Sequence, residues 1–173
     1  MVQPFLAVIT GPMGAGKTTV AKIVHEKMPG LALVGRDKIK WFVSHFNRTE
    51  EQNKVAKAVL LVMVHEYLKQ GVSVLVDEGM MRPGAMDPFI AVAQESKVPF
   101  FVFQIEAPRE VLLERLAQRP MPLAAKEPVS PDRIAANIDN YYANKYEAPT
   151  LVLDSSKVST EDVVHQIMLK LEE

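Results

Sequence analysis

The sequence contains no cysteine. This absence excludes disulfides, cysteine-ligated zinc sites, thiol nucleophiles and iron–sulfur clusters. Long apolar runs are also missing, because the longest, residues 58–64, is far shorter than the roughly 20 residues that a membrane helix needs. No basic segment precedes the short apolar run at residues 5–9, so the sequence predicts no signal peptide. We therefore expect a cytoplasmic protein that does not enter a membrane.

An excess of positive charge is absent too. Lys and Arg number 20 and Asp and Glu 21, which gives a formal net charge of −1. Proteins held mainly by nucleic-acid phosphates carry a basic excess, so nucleic acid is a less favoured partner than a small molecule. The chain of 173 residues is predicted to form a single domain over residues 1–173, since domains average about 150 residues.

Short apolar runs alternate with segments of helical periodicity. Near-continuous apolar strands are typical of a parallel sheet that helices cover on both faces, so we predict a three-layer α/β fold. The predicted strands are 5–10, 31–34, 72–77, 98–105 and 150–153. On the longest predicted helix, the apolar stripe contains Val55, Val59, Val62 and Leu68. Ser159 with Asp162, and Ser130 with Pro131, are typical helix starts, and Gly71 is a typical helix end.

One segment matches the phosphate-binding pattern G-x-x-x-x-G-K-[ST] at every fixed position and lies between a predicted strand and a predicted helix. Glycines let backbone N–H groups approach phosphates, and the helix N-terminus adds partial positive charge. Lys17 is expected to reach the β- and γ-phosphates, and the Thr18 hydroxyl to bind Mg²⁺. The expected nucleotide contacts in this segment are Gly11, Pro12, Met13, Gly14, Ala15, Gly16, Lys17, Thr18 and Thr19.

With this motif and the order of its elements, the chain resembles the P-loop (Walker A) kinases that phosphorylate small metabolites or nucleic acid ends. That group includes shikimate and gluconate kinases, chloramphenicol phosphotransferase and polynucleotide kinases, together with AAA-type predicted kinases. The resemblance implies a P-loop NTPase fold with a five-stranded parallel sheet in the order 2-3-1-4-5. It also implies that ATP and Mg²⁺ are the cofactors.

Arg36 and Asp37 follow the second predicted strand. The resemblance implies that Asp37 aligns and deprotonates the acceptor hydroxyl, although it could also cap the next helix. That helix is predicted to run to Phe46, with Ile39, Phe42, Val43 and Phe46 facing the core. Asp37, Trp41 and His45 would then share another face, with Trp41 either lining the acceptor pocket or partly buried against the long helix, and His45 at the surface. Lys40 stands where polynucleotide kinases often have arginine, which makes a nucleic acid acceptor less favoured.

Asp77 and Glu78 end the third predicted strand, as the acidic residue of a Walker B motif does. One of them is expected to hold Mg²⁺ or orient the nucleophile, and Asp77 is the proposed metal ligand. Adjacent strand residues point to opposite faces, so the two should not share a role. Glu78 is assigned to the acceptor side with Arg82, which could bind an anionic group or be solvated.

Arg115 and Arg119 are four residues apart and precede a segment rich in proline. The resemblance implies that both arginines stabilise charge on the ATP phosphates and that residues of about 119–131 form a lid. A weak pairing of Arg115 with Glu110 or Glu114 is the alternative. Ser155, after the last strand, is placed near adenine by the same resemblance.

The predicted function is ATP-dependent phosphotransfer to a hydroxyl of a small-molecule acceptor. Two alternatives are a polynucleotide 5′-hydroxyl kinase and a nucleotide-dependent switch or ATPase.

Overall fold

The computed structural model describes residues 3–47, 49–79, 82–118 and 130–173. Five strands form one parallel sheet in the order 2-3-1-4-5, which confirms the expected topology. The strands are β1 (Leu6–Thr10), β2 (Ala32–Val34), β3 (Val74–Asp77), β4 (Phe100–Glu106) and β5 (Leu151–Asp154). The helices are α1 (Lys17–Lys27), α2 (Arg36–Ile39), α3 (Glu50–Lys69), α4 (Asp87–Ser96), α5 (Arg109–Gln118), α6 (Pro131–Asn144) and α7 (Thr160–Glu172).

Hydrophobic residues cover both faces of the sheet, because alternate residues of a strand point to opposite sides. In β1, Ala7 and Ile9 belong to one buried cluster, and Leu6 and Val8 belong to another. The first cluster includes residues of α1, α5, α6 and α7, and the second includes residues of α2, α3 and α4. The three-layer prediction is therefore confirmed.

The predicted helix boundaries at three positions are also present. The Ser159 hydroxyl accepts the Asp162 N–H, and the Ser130 hydroxyl accepts the Arg133 N–H. Gly71, directly after the end of α3, has a φ of +78°. Such caps satisfy N–H and C=O groups that lack partners within the helix.

The apolar stripe predicted for the long helix lies mostly on the wrong side of that helix. The residues of α3 that are buried are Ala56, Leu60, Val64 and Leu68, whereas Val55, Val59 and Val62 are exposed. The middle of α3 is apolar on nearly every side, so periodicity alone does not specify which side faces the sheet. Packing against β2, β3 and α4 makes that choice.

The helix predicted to run from Asp37 to Phe46 is much shorter than expected. The α-helix ends at Ile39, and a single 3-10 turn over Lys40–Phe42 follows it. Ile39 is buried as predicted, but Phe42 is 77% exposed and Val43 41% exposed. The chain must turn here because Thr49 caps α3 immediately afterwards. Residues of α3 and α4 occupy most core positions on this side, so Ile39 is buried there and Phe46, as predicted, packs against the core while partly buried.

Within the described ranges, no helix is both long enough and apolar enough to cross a membrane. The expected lid, about 119–131, lies outside the described residues except for Ser130 and Pro131, where α6 begins.

Candidate nucleotide and acceptor site

The phosphate-binding loop joins β1 to α1 at the carboxyl edge of the sheet. Gly11, Gly14 and Gly16 have φ values of +155°, +87° and +95°. A Cβ at Gly11 would lie 2.1 Å from the Ile105 carbonyl oxygen, so the loop presses directly on β4. A Cβ at Gly14 would lie 3.1 Å from Leu116 of α5. Position 11 therefore requires glycine for two reasons: a Cβ would clash with β4, and the positive φ disfavours other residues.

Lys17 and Thr18 form the first turn of α1 and carry the polar groups of the loop. The Lys17 Nζ donates to the Pro12 carbonyl oxygen at 2.8 Å. The Pro12 carbonyl also accepts the Ala15 N–H at 3.3 Å. Pro12 and Ala15 are buried, whereas Thr18 and Thr19 are exposed. The lysine ammonium is thus held over the loop, and the threonines face outward at its mouth.

The end of β3 lies directly beside this loop. The Thr18 hydroxyl donates to Asp77 Oδ2 at 2.7 Å. The next residue, Glu78, faces away and accepts a hydrogen bond from Arg36 Nη2 at 2.6 Å. The prediction that the two carboxylates have separate surroundings agrees with this geometry. Asp77 is the one beside the threonine hydroxyl.

Asp77 and Thr18 fit the oxygen ligands that Mg²⁺ prefers. They are a carboxylate and a hydroxyl, in hydrogen-bond contact, next to a loop built for phosphates. In the described part of the chain, no group of three His, Asp or Glu residues could hold a metal ion by itself. Phosphate oxygens would therefore have to complete any magnesium site here, as in other P-loop proteins.

Glu78 and Arg36 form an ion pair that is largely shielded from water. The exposed side-chain fractions are 12% for Glu78 and 30% for Arg36. Burial raises the pKa of Glu78, and this effect outweighs the opposing attraction of Arg36. Arg36 is the first residue of α2, so the pair fixes the start of that helix to the end of β3.

Asp37 follows Arg36 and points outward. Its side chain is 86% exposed, and its Oδ1 accepts a hydrogen bond from Lys40 Nζ at 2.6 Å. Lys40 itself is only 11% exposed and lies over the ring of Phe46 at 5.9 Å. The carboxylate of Asp37 is therefore accessible to a substrate and held in place by a neighbouring cation.

Other residues expected on the acceptor side are solvent-facing. Trp41 is 69% exposed, which contradicts the alternative of partial burial against the long helix. Because α2 ends at Ile39, Asp37, Trp41 and His45 do not share a helix face. Arg82 and His45 are exposed, as expected for a solvated arginine and a surface histidine.

Arg115 is not paired with Glu110 or Glu114, which was the alternative from sequence. Its guanidinium donates to the Ser155 hydroxyl at 2.9 Å and to the Ser155 carbonyl at 2.7 Å. The Ser155 N–H and hydroxyl in turn donate to the Glu106 carbonyl. The loop between β5 and α7 is therefore fixed to α5 and to the end of β4. Arg119, the second expected arginine, lies outside the described residues.

Sequence reasoning missed two residues of the site. The sequence pattern predicts no role for Arg36, because no spacing rule links it to Glu78. Asn137 of α6 accepts the Met13 N–H at 3.0 Å, across 124 positions of the chain. No motif surrounds Asn137, so only the tertiary structure identifies it.

Comparisons with known proteins identify the family and the fold of the chain. A family model described as an AAA domain matches residues 6–143. The fold is similar to that of a sugar kinase from Janibacter sp. HTCC2649, with a TM-score of 0.71 and 18% identity over 98% of this chain and 95% of that one.

Two further structures are similar at the same level. The tunicamycin resistance protein of Deinococcus radiodurans has a TM-score of 0.68 and 18% identity over 98% of this chain and 96% of that one. The APS kinase of Mycobacterium tuberculosis, in complex with AMPPNP and APS, has a TM-score of 0.70 and 15% identity over 99% of both chains. No curated protein matches the sequence. The match over residues 6–143 shows that the chain belongs to the AAA domain family, and its fold is that of a P-loop kinase.

Proposed function

We propose that the protein is an ATP-dependent phosphotransferase that moves the γ-phosphate of ATP to a hydroxyl group of a small-molecule acceptor. The observation that carries this proposal is the 2.7 Å contact between Thr18 and Asp77. It joins the phosphate-binding loop to the end of β3, where the exposed carboxylate of Asp37 is one strand away. A nucleotide-binding loop beside an accessible carboxylate is the arrangement that phosphoryl transfer to an alcohol requires.

In the proposed reaction, the acceptor hydroxyl attacks the γ-phosphorus as the bond to the β-phosphate oxygen breaks. The hydroxyl proton passes to Asp37, and ADP leaves with the bridging oxygen. Lys17 offsets negative charge on the β- and γ-phosphates. Thr18 and Asp77 would hold Mg²⁺, which supplies further positive charge to the phosphates when bound.

Two cation–carboxylate pairs support the acceptor assignment. Lys40 holds Asp37, and Arg36 holds Glu78. Arg36 and Lys40 are each offset by a carboxylate, which suits a small acceptor better than the continuous phosphate backbone of a polynucleotide. Trp41 and Arg82 are exposed beside this region and would contact the acceptor from the solvent side.

Arg115 supports the proposal in a different way from that expected. Its two hydrogen bonds fix the loop around Ser155, which lies on the β4–β5 side of the phosphate-binding loop. We propose that this loop borders the nucleotide base. The helix that carries Arg115 packs against the phosphate-binding loop, because a Cβ at Gly14 would contact Leu112 and Leu116 of α5, so we propose that Arg115 contacts phosphates when nucleotide binds.

The test is transfer of label from ATP carrying a labelled γ-phosphate to a panel of hydroxyl compounds in the presence of Mg²⁺. The panel contains sugars, sugar acids, nucleosides, aromatic alcohols, antibiotics and 5′-hydroxyl oligonucleotides. Label on a small acceptor is the expected result. Label on the oligonucleotide alone, or only as free phosphate, would contradict a small-molecule kinase.

The variant Asp37→Asn sharpens this test. It is expected to lower transfer by about 10²- to 10⁴-fold, the usual range for a lost general base, with nucleotide affinity nearly unchanged. Asp132→Asn, in the first turn of α6, is the control for loss of an exposed carboxylate. Equal transfer rates in the two variants would reduce Asp37 to a helix-terminal residue.

A further inference from the structure

One hydrogen bond connects the phosphate-binding loop to a distant helix. The Asn137 Oδ1 accepts the Met13 N–H at 3.0 Å. Asn137 lies on α6, one position before the buried Ile138 and on the side of the helix that faces the body of the protein. Neither the motif of the loop nor the proposed chemistry accounts for this contact.

The contact falls on a particular peptide group. The Met13 N–H and the Pro12 C=O belong to the same planar unit, and in a trans peptide they point in opposite directions. The Pro12 carbonyl is the group that accepts the Lys17 Nζ at 2.8 Å. One end of the peptide is therefore held by Asn137, and its other end holds the lysine ammonium.

From this geometry we infer that Asn137 is a positioning residue for Lys17. It acts through the Pro12–Met13 peptide, whose rotation would move the Pro12 oxygen away from the ammonium. An asparagine suits this task, since its side-chain oxygen accepts a hydrogen bond without adding negative charge near phosphates. The inference rests on the proposed function, because the position of Lys17 matters only if the loop binds a nucleotide.

Asn137→Leu is the direct test, because leucine has a similar volume but cannot accept the Met13 N–H. Asn140→Leu is the matched control, since Asn140 is an exposed asparagine on the same helix. Fluorescent analogues of ATP and ADP are titrated into each protein with Mg²⁺, and thermal melting checks the fold. Asn137→Ala replaces the leucine variant if the latter does not fold.

Lys17 is expected to contact both the β- and γ-phosphates, so losing its anchor should weaken ATP binding more than ADP binding. We also expect kcat of the labelled-phosphate assay to fall by about 10- to 100-fold, as for small misplacements in an active site, with a smaller change in KM. The Asn140 variant should match the wild type in every measurement.

Equal weakening of ATP and ADP binding in Asn137→Leu would show a general structural role and overturn the inference. So would behaviour identical to that of Asn140→Leu. A wild-type protein that binds neither nucleotide would instead overturn the proposed function, and the inference with it, so the two failures are distinguishable.

Discussion

Asp77 and Glu78 are neighbours in sequence with opposite environments. Asp77 accepts a hydrogen bond from Thr18 at the mouth of the phosphate-binding loop, and Glu78 is enclosed with Arg36. The alternation of side chains at the end of a strand explains this difference. One short segment thereby connects the proposed metal site to the helix that carries Asp37.

The raised pKa of Glu78 makes stability depend on pH. Burial places its pKa above the ordinary value of 4.5, so the folded state binds the proton more tightly than the unfolded state. The resulting stabilisation is complete below pH 4.5 and is lost as pH rises through the folded-state pKa. Relative to Glu78→Gln, the wild type should therefore lose unfolding free energy over that range.

Urea unfolding of both proteins at several values from about pH 4 to pH 8 measures this difference. Glu114→Gln, on the exposed side of α5, is the control for the loss of one carboxylate. The raised pKa of Glu78 would be contradicted if the unfolding free energy of the wild type, relative to that of Glu78→Gln, increased with rising pH.

Gly11 leaves less room for a side chain than the other glycines compared within the described residues. Replacing it with alanine would place a Cβ 2.1 Å from the Ile105 carbonyl oxygen, at a φ of +155°. We expect Gly11→Ala to lose more than the roughly 1–3 kcal/mol that an unfavourable backbone conformation costs alone. Nucleotide affinity should fall as well, since the loop must move away from β4.

Gly71→Ala is the matched control, because Gly71 also has a positive φ of +78° but has open space around the added Cβ. The difference in unfolding free energy between the two variants, measured in urea, isolates the contact with β4. Similar losses in both variants would mean that conformation alone requires glycine at Gly11.

Among the elements, those predicted correctly have local signals that tertiary packing supports. The five strands are short apolar runs between turns, and the starts of α6 and α7 carry Ser130 and Ser159 as caps. The segment after α2 has apolar residues at helical spacing, yet the structure ends the helix at Ile39. Phe46 still packs against the core, whereas Phe42 and Val43 are exposed, and a single sequence does not specify that division.

The candidate site likewise has a part that local sequence predicts and a part that only the tertiary structure reveals. The loop from Gly11 to Thr18 could be identified because all the fixed positions of the phosphate-binding pattern lie in one continuous segment. The Arg36–Glu78 pair and the Asn137–Met13 contact could not, since each joins residues from separate elements at a distance set by the fold.

One side chain of α5 helps to hold the loop between β5 and α7. Arg115 makes two hydrogen bonds to Ser155, and bonds from a charged group contribute about 1.5–3 kcal/mol each. We expect Arg115→Ala to destabilise the protein by at least about 1.5–3 kcal/mol. ATP binding should weaken as well, because the loop that we propose to border the nucleotide base loses these two contacts.

Arg109→Ala is the control on the same helix. Arg109 pairs with Asp139 at 3.1 Å in an exposed position, where ion pairs contribute little. Unfolding in urea and titration with a fluorescent ATP analogue compare the two variants. An equal effect of both substitutions would show that the Ser155 contacts do not hold the loop.

At the scale of the whole molecule, strand order brings the functional segments together. The order β2-β3-β1-β4-β5 places the phosphate-binding loop, which follows β1, at the centre of the carboxyl edge. Asp37 and Glu78 lie on its β2–β3 side, and Arg115 with Ser155 lies on its β4–β5 side. In the proposed function, the acceptor and the nucleotide base would therefore bind on opposite sides of the phosphate-binding loop. Transfer in line further requires the acceptor hydroxyl to lie opposite the leaving β-phosphate oxygen.

Overall charge bears on the class of acceptor that we propose. The net charge is −1, and Arg36 and Lys40 are paired to carboxylates, so we propose that a polynucleotide backbone is disfavoured. We expect a fluorescent 5′-hydroxyl oligonucleotide to bind weakly in anisotropy titrations, and its binding to vary little with salt. A protein that neutralises several phosphates would instead lose about 10³–10⁵ in affinity between roughly 50 and 200 mM salt.

The same oligonucleotide should not inhibit label transfer to a small acceptor. Tight binding that weakens steeply with salt, together with phosphorylation of the 5′ end, would contradict this prediction. It would mean that nucleic acid is the acceptor, and that counterion release drives a contact which the paired cations disfavour.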